Sequence, residues 1–353
     1  MVSGECRGAI YSVLPRAMKT KELRTDVITG RSVYMETDER AMKRSSDYEG
    51  GLSQSGNPFC PFCEGNESET PPEIYAKRLE GSERDGKGWS IRVVPNKYPV
   101  LTPEFGEESR GGEGIYKRIG GFGAHEVIID VARHERSAGN LSETELFDLL
   151  ATFRLRINEL KKEPRLKYVL IFKNQGKWAG ATVEHIHTQL VALPIVPQAI
   201  KEELSAAERF YGERSKCVYC ERLGKELKRS VRLVAKNADF ALFAPYVSRT
   251  PFELVVTPLK HSECFEASSD KELEALAEIM GEALSKVKGL LGDPSLNMVL
   301  LNSPLHEPTG DYFHWRIEII PKILTLSALP IGGGVYFNPT PPEVAAEEFR
   351  NKG

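Results

Sequence analysis

The chain has no apolar run approaching the roughly eighteen residues that a membrane span needs, so membrane integration is not expected. It also lacks an excess of either charge. Its 47 Lys and Arg against 50 Asp and Glu leave a net charge of -3, which supplies no electrostatic footprint for nucleic acid. The stretch from Met1 to Gly8 has none of the long apolar core of a signal peptide, and a cytoplasmic location is expected. Cysteine is scarce: six in 353 residues rules out a disulfide scaffold. That length is enough for two domains, or for one domain duplicated.

What cysteine there is falls into a pattern. Four of the six form Cys60-Pro61-Phe62-Cys63 and Cys217-Val218-Tyr219-Cys220. In a reducing compartment such pairs are metal ligands or redox centres more often than disulfides. No thioredoxin-like strand–helix junction accompanies either pair, which favours metal. Cys6 and Cys264 stand alone and are read as structural.

A second regularity joins the first. The segment from Glu126 to His134 is echoed from Glu253 to His261, with the Glu eight residues before the His in both. Eight residues after each His stands a serine, Ser142 or Ser269, with a glutamate three further on, Glu145 or Glu272. Ser-x-x-Glu is a capping box, and it predicts an amphipathic helix of about twenty residues after each serine. Each helix leads to an apolar strand (168–172 and 298–301), then to an asparagine, Asn174 or Asn302, and then to a histidine. The spacing from His134 to His185 is 51 residues and from His261 to His314 is 53. Repeated order at matched spacing predicts a duplication over 22–195 and 215–325, joined by a charged helix near 198–212.

Each half thus offers two thiolates and two imidazoles, the donor set of a closed tetrahedral zinc site. One set is Cys60, Cys63, His134 and His185; the other is Cys217, Cys220, His261 and His314. With every position filled by protein, both metals are expected to be structural. Glu184-His185-Ile186-His187-Thr188-Gln189-Leu190 alternates at period two, predicting a strand with His185, His187 and Gln189 on one face. His187 is then left over beside a held ligand. The stretch from Asn174 to Thr182 is rich in glycine, as suits a backbone that approaches phosphate. A free imidazole there suits nucleophilic attack on phosphorus, and Gln189 is placed to donate to a phosphoryl oxygen. The second half reads His314-Trp315-Arg316-Ile317-Glu318. Arginine is no nucleophile, so that half is expected to be silent.

Other segments say less. Residues 22–35 predict a hairpin turning at Thr29-Gly30. Arg40, Lys43 and Arg44 form a basic cluster that, taken alone, suits a solvated face better than a phosphate clamp. Residues 64–88 predict loop with some helix, 90–94 a strand ending at Pro95-Asn96, and 103–117 a mobile loop. From Gly332 to Pro339 the chain is expected to turn on its glycines, with a short helix from Pro342.

Together these residues resemble the galactose-1-phosphate uridylyltransferases of the histidine-triad superfamily. The resemblance runs from about Arg24 to Asn338. It is carried by Cys-Pro-Phe-Cys at 60–63, by Asn174-x-Gly176-x-x-x-Gly180-x-Thr182-x-x-His185-x-His187-x-Gln189, by Pro251-Phe252-Glu253 and by Phe313-His314-Trp315. It implies an α+β fold of two histidine-triad-like halves, each a mainly antiparallel sheet with flanking helices. Residues 1–197 would form the catalytic half and 198–353 the silent one.

The resemblance also implies ping-pong chemistry in galactose metabolism. The imidazole matching His187 attacks the α-phosphorus of UDP-glucose, glucose 1-phosphate leaves, and galactose 1-phosphate takes the uridylyl group. Asn174, Thr182 and Gln189 would bind phosphate oxygens within the motif that contains Gly180, Asn96 would lie near the nucleotide, and Arg40 and Arg44 become candidate phosphate contacts. A homodimer is implied, with zinc as the metal and iron also open at the second site. The second Cys-x-x-Cys looks like the branch that includes ADP-glucose phosphorylase, and the Gly332–Pro339 segment lacks the glutamate that bacterial transferases place on the hexose. An ADP-glucose phosphorylase is therefore the alternative enzyme. A zinc-stapled binding module would explain the Cys and His pairs, but neither His187-Thr188-Gln189 nor the glycine loop.

Overall fold

The computed structural model describes residues 21–25, 32–36, 59–105, 111–325, 328–333, 336 and 338–352. The chain divides into two compact units, Met1–Gly51 with Val100–Phe122, and Leu52–Pro99 with Gly123–Gly353.

The first unit is a four-stranded antiparallel sheet of β1 (Lys21–Thr25), β2 (Ser32–Glu36), β5 (Gly111–Glu113) and β6 (Tyr116–Gly120), in the order β2-β1-β6-β5. The expected hairpin is present as β1 and β2, paired from Lys21↔Glu36 to Thr25↔Ser32. Its turn at Thr29-Gly30 lies outside the described residues. The expected mobile loop at 103–117 is corrected in part: β5 and the start of β6 form a hairpin there. A Cβ at Gly112 would meet the Tyr116 carbonyl at 1.9 Å, so glycine here permits a close strand approach rather than a loose loop.

The second unit is built on ten strands. They are β3 (Tyr75–Arg78), β4 (Trp89–Pro95), β7 (Ala124–Ile129), β8 (Tyr168–Gln175), β9 (His187–Leu193), β10 (Leu233–Lys236), β11 (Phe240–Phe243), β12 (Leu254–Pro258), β13 (Leu296–Leu301) and β14 (Arg316–Pro321). Their order is β10-β11-β12-β14-β13-β8-β9-β7-β4-β3, antiparallel throughout. Read outward from the β13–β8 seam, the two sides repeat the same connectivity. β8-β9-β7-β4-β3 answers β13-β14-β12-β11-β10, the duplication the spacings predicted. Strand β3 corrects the loop expected over 64–88: Tyr-Ala-Lys-Arg lacks an apolar alternation because it is an edge strand, with one neighbour only.

Helices α1 (Glu143–Leu160), α2 (Gln198–Arg214), α3 (Val218–Arg229), α4 (Asp270–Leu291), α5 (Ala328–Gly333) and α6 (Pro342–Lys352) complete the unit. Both predicted capping boxes are formed: the Ser142 and Ser269 hydroxyls accept from the Glu145 and Glu272 amides, and each glutamate accepts from its serine's backbone N–H. Ser142→Ala is expected to cost about 1 kcal/mol, read as a lowered denaturation midpoint at unchanged slope. α1 buries Leu146, Leu149, Leu150, Phe153 and Ile157, a helical stripe that packs against α4 over one face of the sheet. α2 matches the charged helix expected near 198–212, whereas α5 occupies residues expected to turn on glycine. Residues 334, 335 and 337 of that stretch lie outside those described. Among the described residues no helix is long and apolar enough to cross a membrane.

Buried ion pairs brace the strands near the site. Arg156 of α1 holds Glu126 of β7 in a fork at 2.8 and 2.7 Å. Lys173 of β8 pairs with Asp130, both essentially inaccessible to solvent, and Thr188 Oγ1 donates to the same carboxylate at 2.9 Å. This second cluster ties β8, β9 and the end of β7 together at the residue next to His187, so it fixes the strand that carries the site.

Candidate functional site

Strand register decides which side chains meet. β9 pairs with β7 as Ile129↔His187 and Val127↔Gln189, and with β8 as Phe172↔Gln189 and Lys173↔Thr188. Thr188 therefore faces the helices, while His187 and Gln189 face the opposite side. One expectation needs correcting. The strand begins at His187, so His185 precedes it and reaches its partners from the connection, where Ile186 N donates to the Glu135 carbonyl at 2.8 Å.

The predicted metal sets both assemble. In each set the four candidate ligand atoms lie within 4.8 Å of one another. Sulfur–nitrogen separations are 3.6 Å for Cys60–His185, 3.3 Å for Cys63–His134 and 3.6 Å for Cys63–His185. In the second set they are 3.2 Å for Cys220–His261 and 3.5 Å for Cys220–His314. A tetrahedron with ordinary zinc–sulfur and zinc–nitrogen bonds has such edges of about 3.5 Å, so the sets fit a tetrahedral ion. Protonation agrees with the role. Burial pushes the His185 and His314 imidazoles down to about 4, leaving them neutral as ligands must be. Burial, together with the paired cysteine, pushes Cys63 up to about 11 and Cys220 up to about 12. These thiols thus become thiolates only against a cation. His185 and His261 turn their other ring nitrogen to the Val131 and Gly310 carbonyls at 2.9 and 2.6 Å, which fixes Nδ1 as the ligating atom.

The first knuckle does more than ligate. Phe62, between its cysteines, packs edge-on against the His187 ring with centroids 5.1 Å apart. His187 is 5% exposed, and its Nδ1 donates to the His185 carbonyl at 2.8 Å. With Nδ1 carrying the proton, Nε2 keeps its lone pair. Burial holds this imidazole below the ordinary histidine range, hence neutral near pH 7.

The other residues singled out from sequence have these places in the fold. Asn174 is on β8, on the same face as His187. Gly180, in the left-handed conformation at φ +85°, closes the glycine-rich turn, and Thr182 is exposed just beyond it. Asn96 follows β4. Arg40 and Arg44 lie outside the described residues. One participant escaped the sequence reading: His125 of β7, whose Nε2 lies 2.8 Å from Gln189 Oε1 and 3.1 Å from Asn96 Nδ2. Asn96 Oδ1 accepts from the Tyr98 amide at 2.9 Å, so Asn96 presents its NH2 to His125 Nε2, which accepts from it. The available signal was a histidine directly before Glu126, two residues in register from the strand face that already carried Val127.

The second half holds no imidazole at the matching place. Arg316 of β14 is forked by Glu203 of α2 at 2.7 and 3.2 Å and bonded to Glu318 at 2.9 Å. Tyr219 donates to the same Glu203 at 2.6 Å, and Arg249 bridges Glu318 to Glu253. A cluster of paired charges fills the position, with Arg316, Glu318 and Glu253 buried.

Comparison with known proteins gives this arrangement a context. The sequence model described as galactose-1-phosphate uridyl transferase, N-terminal domain, matches residues 75–197. An ADP-glucose phosphorylase from Arabidopsis thaliana is 32% identical over 338 residues, covering 94% of this chain and 93% of its own length. A galactose-1-phosphate uridylyltransferase from Thermotoga maritima is 25% identical over 299 residues, covering 82% of this chain and 88% of its own. Among solved structures, the Arabidopsis phosphorylase with bound ADP-glucose superposes with a TM-score of 0.74 at 30% identity, covering 95% of this chain and all (100%) of that one. A structure of uridylyltransferase gives 0.77 at 26% identity, covering 93% of this chain and 97% of that one.

Fold and relatives define an enzyme of the nucleotidyltransferase type, built from two halves of the same strand connectivity. The chain belongs to the galactose-1-phosphate uridylyltransferase family.

Proposed function

We propose that this chain moves a nucleotidyl group from a nucleotide sugar to a phosphate-bearing acceptor through a covalent intermediate on His187. The observation that carries the reading is the His187 ring itself: buried, neutral, and held by Nδ1 so that only Nε2 is open to attack. Nε2 attacks the α-phosphorus of the donor, forming the N–P bond as the bond to the sugar 1-phosphate oxygen breaks. In the second step a phosphate oxygen of the acceptor attacks the same phosphorus, and His187 leaves with its lone pair restored. Gln189 donates to the oxygen on which negative charge builds. Asn174 and the turn through Gly180 and Thr182 bind phosphate oxygens, and Asn96 stands toward the nucleotide. The metal sets, when filled, supply structure: one anchors the His185 backbone and the Phe62 ring against His187, the other braces the silent half, and residues 1–197 act as the catalytic half with 198–353 as its partner.

The donor and acceptor we favour are UDP-glucose and galactose 1-phosphate, working in the cytoplasm as a homodimer. A second reading, ADP-glucose with inorganic phosphate, has one specific support: the greater identity and coverage of the Arabidopsis phosphorylase compared with the Thermotoga transferase. Two-step chemistry lets donor and acceptor be tested apart. Enzyme loaded in parallel from UDP-glucose or ADP-glucose is chased with galactose 1-phosphate or phosphate. Faster loading from UDP-glucose and discharge by the sugar phosphate are expected. Faster loading from ADP-glucose with discharge mainly by phosphate would replace the first reading with the second.

A further inference from the structure

The two halves of the large sheet meet at β8 and β13, and the residues that meet there are not neutral packing. Asn174 of β8 stands directly opposite Asn297 of β13. Asn297 Nδ2 donates at 2.8 Å to Asn174 Oδ1 and at 3.0 Å to the Ala179 carbonyl. The second contact settles the first. A backbone carbonyl only accepts, so Asn297 must turn its NH2 that way. Facing that NH2, Asn174 must offer its oxygen, and its own NH2 is left pointing away from the seam. A Cβ at Gly180 would sit 3.9 Å from Asn174 Nδ2, so the amide nitrogen is directed toward the glycine turn.

The same leading edge of the silent half holds the rest of that turn at alternate positions. Gln175 Nε2 donates to Asp293 at 3.2 Å, and Ser295 Oγ accepts from the Trp178 amide at 3.3 Å. Gly176, at φ +78°, lies so close to Ser295 that a Cβ would come within 2.3 Å of its hydroxyl oxygen.

We infer that Asn297, contributed by the catalytically silent half, is a positioning residue: it fixes the Asn174 amide with its NH2 toward the donor phosphate and pins the turn at Ala179. This deepens the proposed reaction and rests on it, because Asn174 is there a phosphate ligand. An amide free to rotate presents its oxygen to the phosphate as readily as its nitrogen. Oxygen against a phosphoryl oxygen is repulsive, so orientation is worth as much as the hydrogen bond itself.

Substitutions at Asn297 separate orientation from packing. Asn297→Leu keeps the approximate size and neutrality but cannot donate; Asn297→Ala opens space; Asn297→Asp accepts where the wild type donates and turns the Asn174 oxygen outward. The measurement is the nucleotide-sugar concentration for half-maximal loading of His187, together with the limiting loading rate, melting temperature and metal content. Orientation is expected to give Leu and Ala the same rise, about tenfold to a hundredfold, with Asp higher still. The limiting rate should move much less, and melting temperature and metal content should stay near wild type. Leu loading like wild type, with Ala alone impaired and its melting temperature lowered, would assign Asn297 to packing and overturn the inference. Failure of the wild-type enzyme to load from either nucleotide sugar would overturn the reaction, and the inference with it.

Discussion

Replacing His187 by alanine or asparagine is expected to abolish exchange of sugar phosphates, with a loss of at least about a thousandfold, on the scale seen when a covalent nucleophile is removed. Nothing else among the described residues can take over the step from that position. His185 has its Nδ1 committed to the cysteines and its Nε2 to the Val131 carbonyl. His125 sits between Gln189 and Asn96, and on β7 it is four residues from Ile129, the register partner of His187. The variant should keep its melting temperature and metal content, because the His187 ring contributes to neither metal set. Steady-state exchange at a near-normal rate in either variant would contradict the assignment.

The second large effect is expected at the metal sets. Purified chain never exposed to chelator should carry two tetrahedral ions, mainly zinc, by elemental analysis. A structural zinc site contributes on the order of 10 kcal/mol to the folded state. Losing one thiolate of four should therefore strip that ion at modest chelator concentration and lower the melting temperature markedly. The two sets should differ in what else is lost. Cys63→Ser also loosens the knuckle that seats Phe62 on His187, so activity should fall with stability. Cys217→Ser should cost comparable stability while the remaining folded fraction still loads His187. One ion per chain in untreated wild-type protein, or equal loss of loading per folded molecule in both variants, would contradict this division.

The parts of this architecture that are legible in sequence are those written in local or repeated signals. Both metal sets could be read because their order recurs at nearly equal spacing, and both long helices because Ser-x-x-Glu opens each. Strand β9 was readable from its alternation, yet not its first residue, since the alternating pattern continues through His185 after the ladder has ended. β3 and β5 were missed for opposite reasons. β3 is a polar edge strand, and β5 is two-thirds glycine, used for close approach rather than for a turn.

His125, Asn297 and Glu203 were illegible because their meaning lies in register. Only the pairing of β7 with β9 brings His125 near Gln189, only the β8–β13 seam puts Asn297 against Asn174, and only the return of α2 brings Glu203 to Arg316. Single residues whose partners lie dozens of positions away carry no local pattern.

The central claim is a nucleotidyl group on one nitrogen of one residue. Incubating the full chain with a nucleotide sugar and no acceptor, then mapping the adduct by peptide mass spectrometry under alkaline conditions that preserve phosphoramidates, tests it directly. The expected result is a base-stable, acid-labile nucleotidyl modification confined to the peptide containing His187, discharged on adding acceptor. A modification on His125 or His185, or turnover with no enzyme-bound nucleotidyl group at any time, would contradict it.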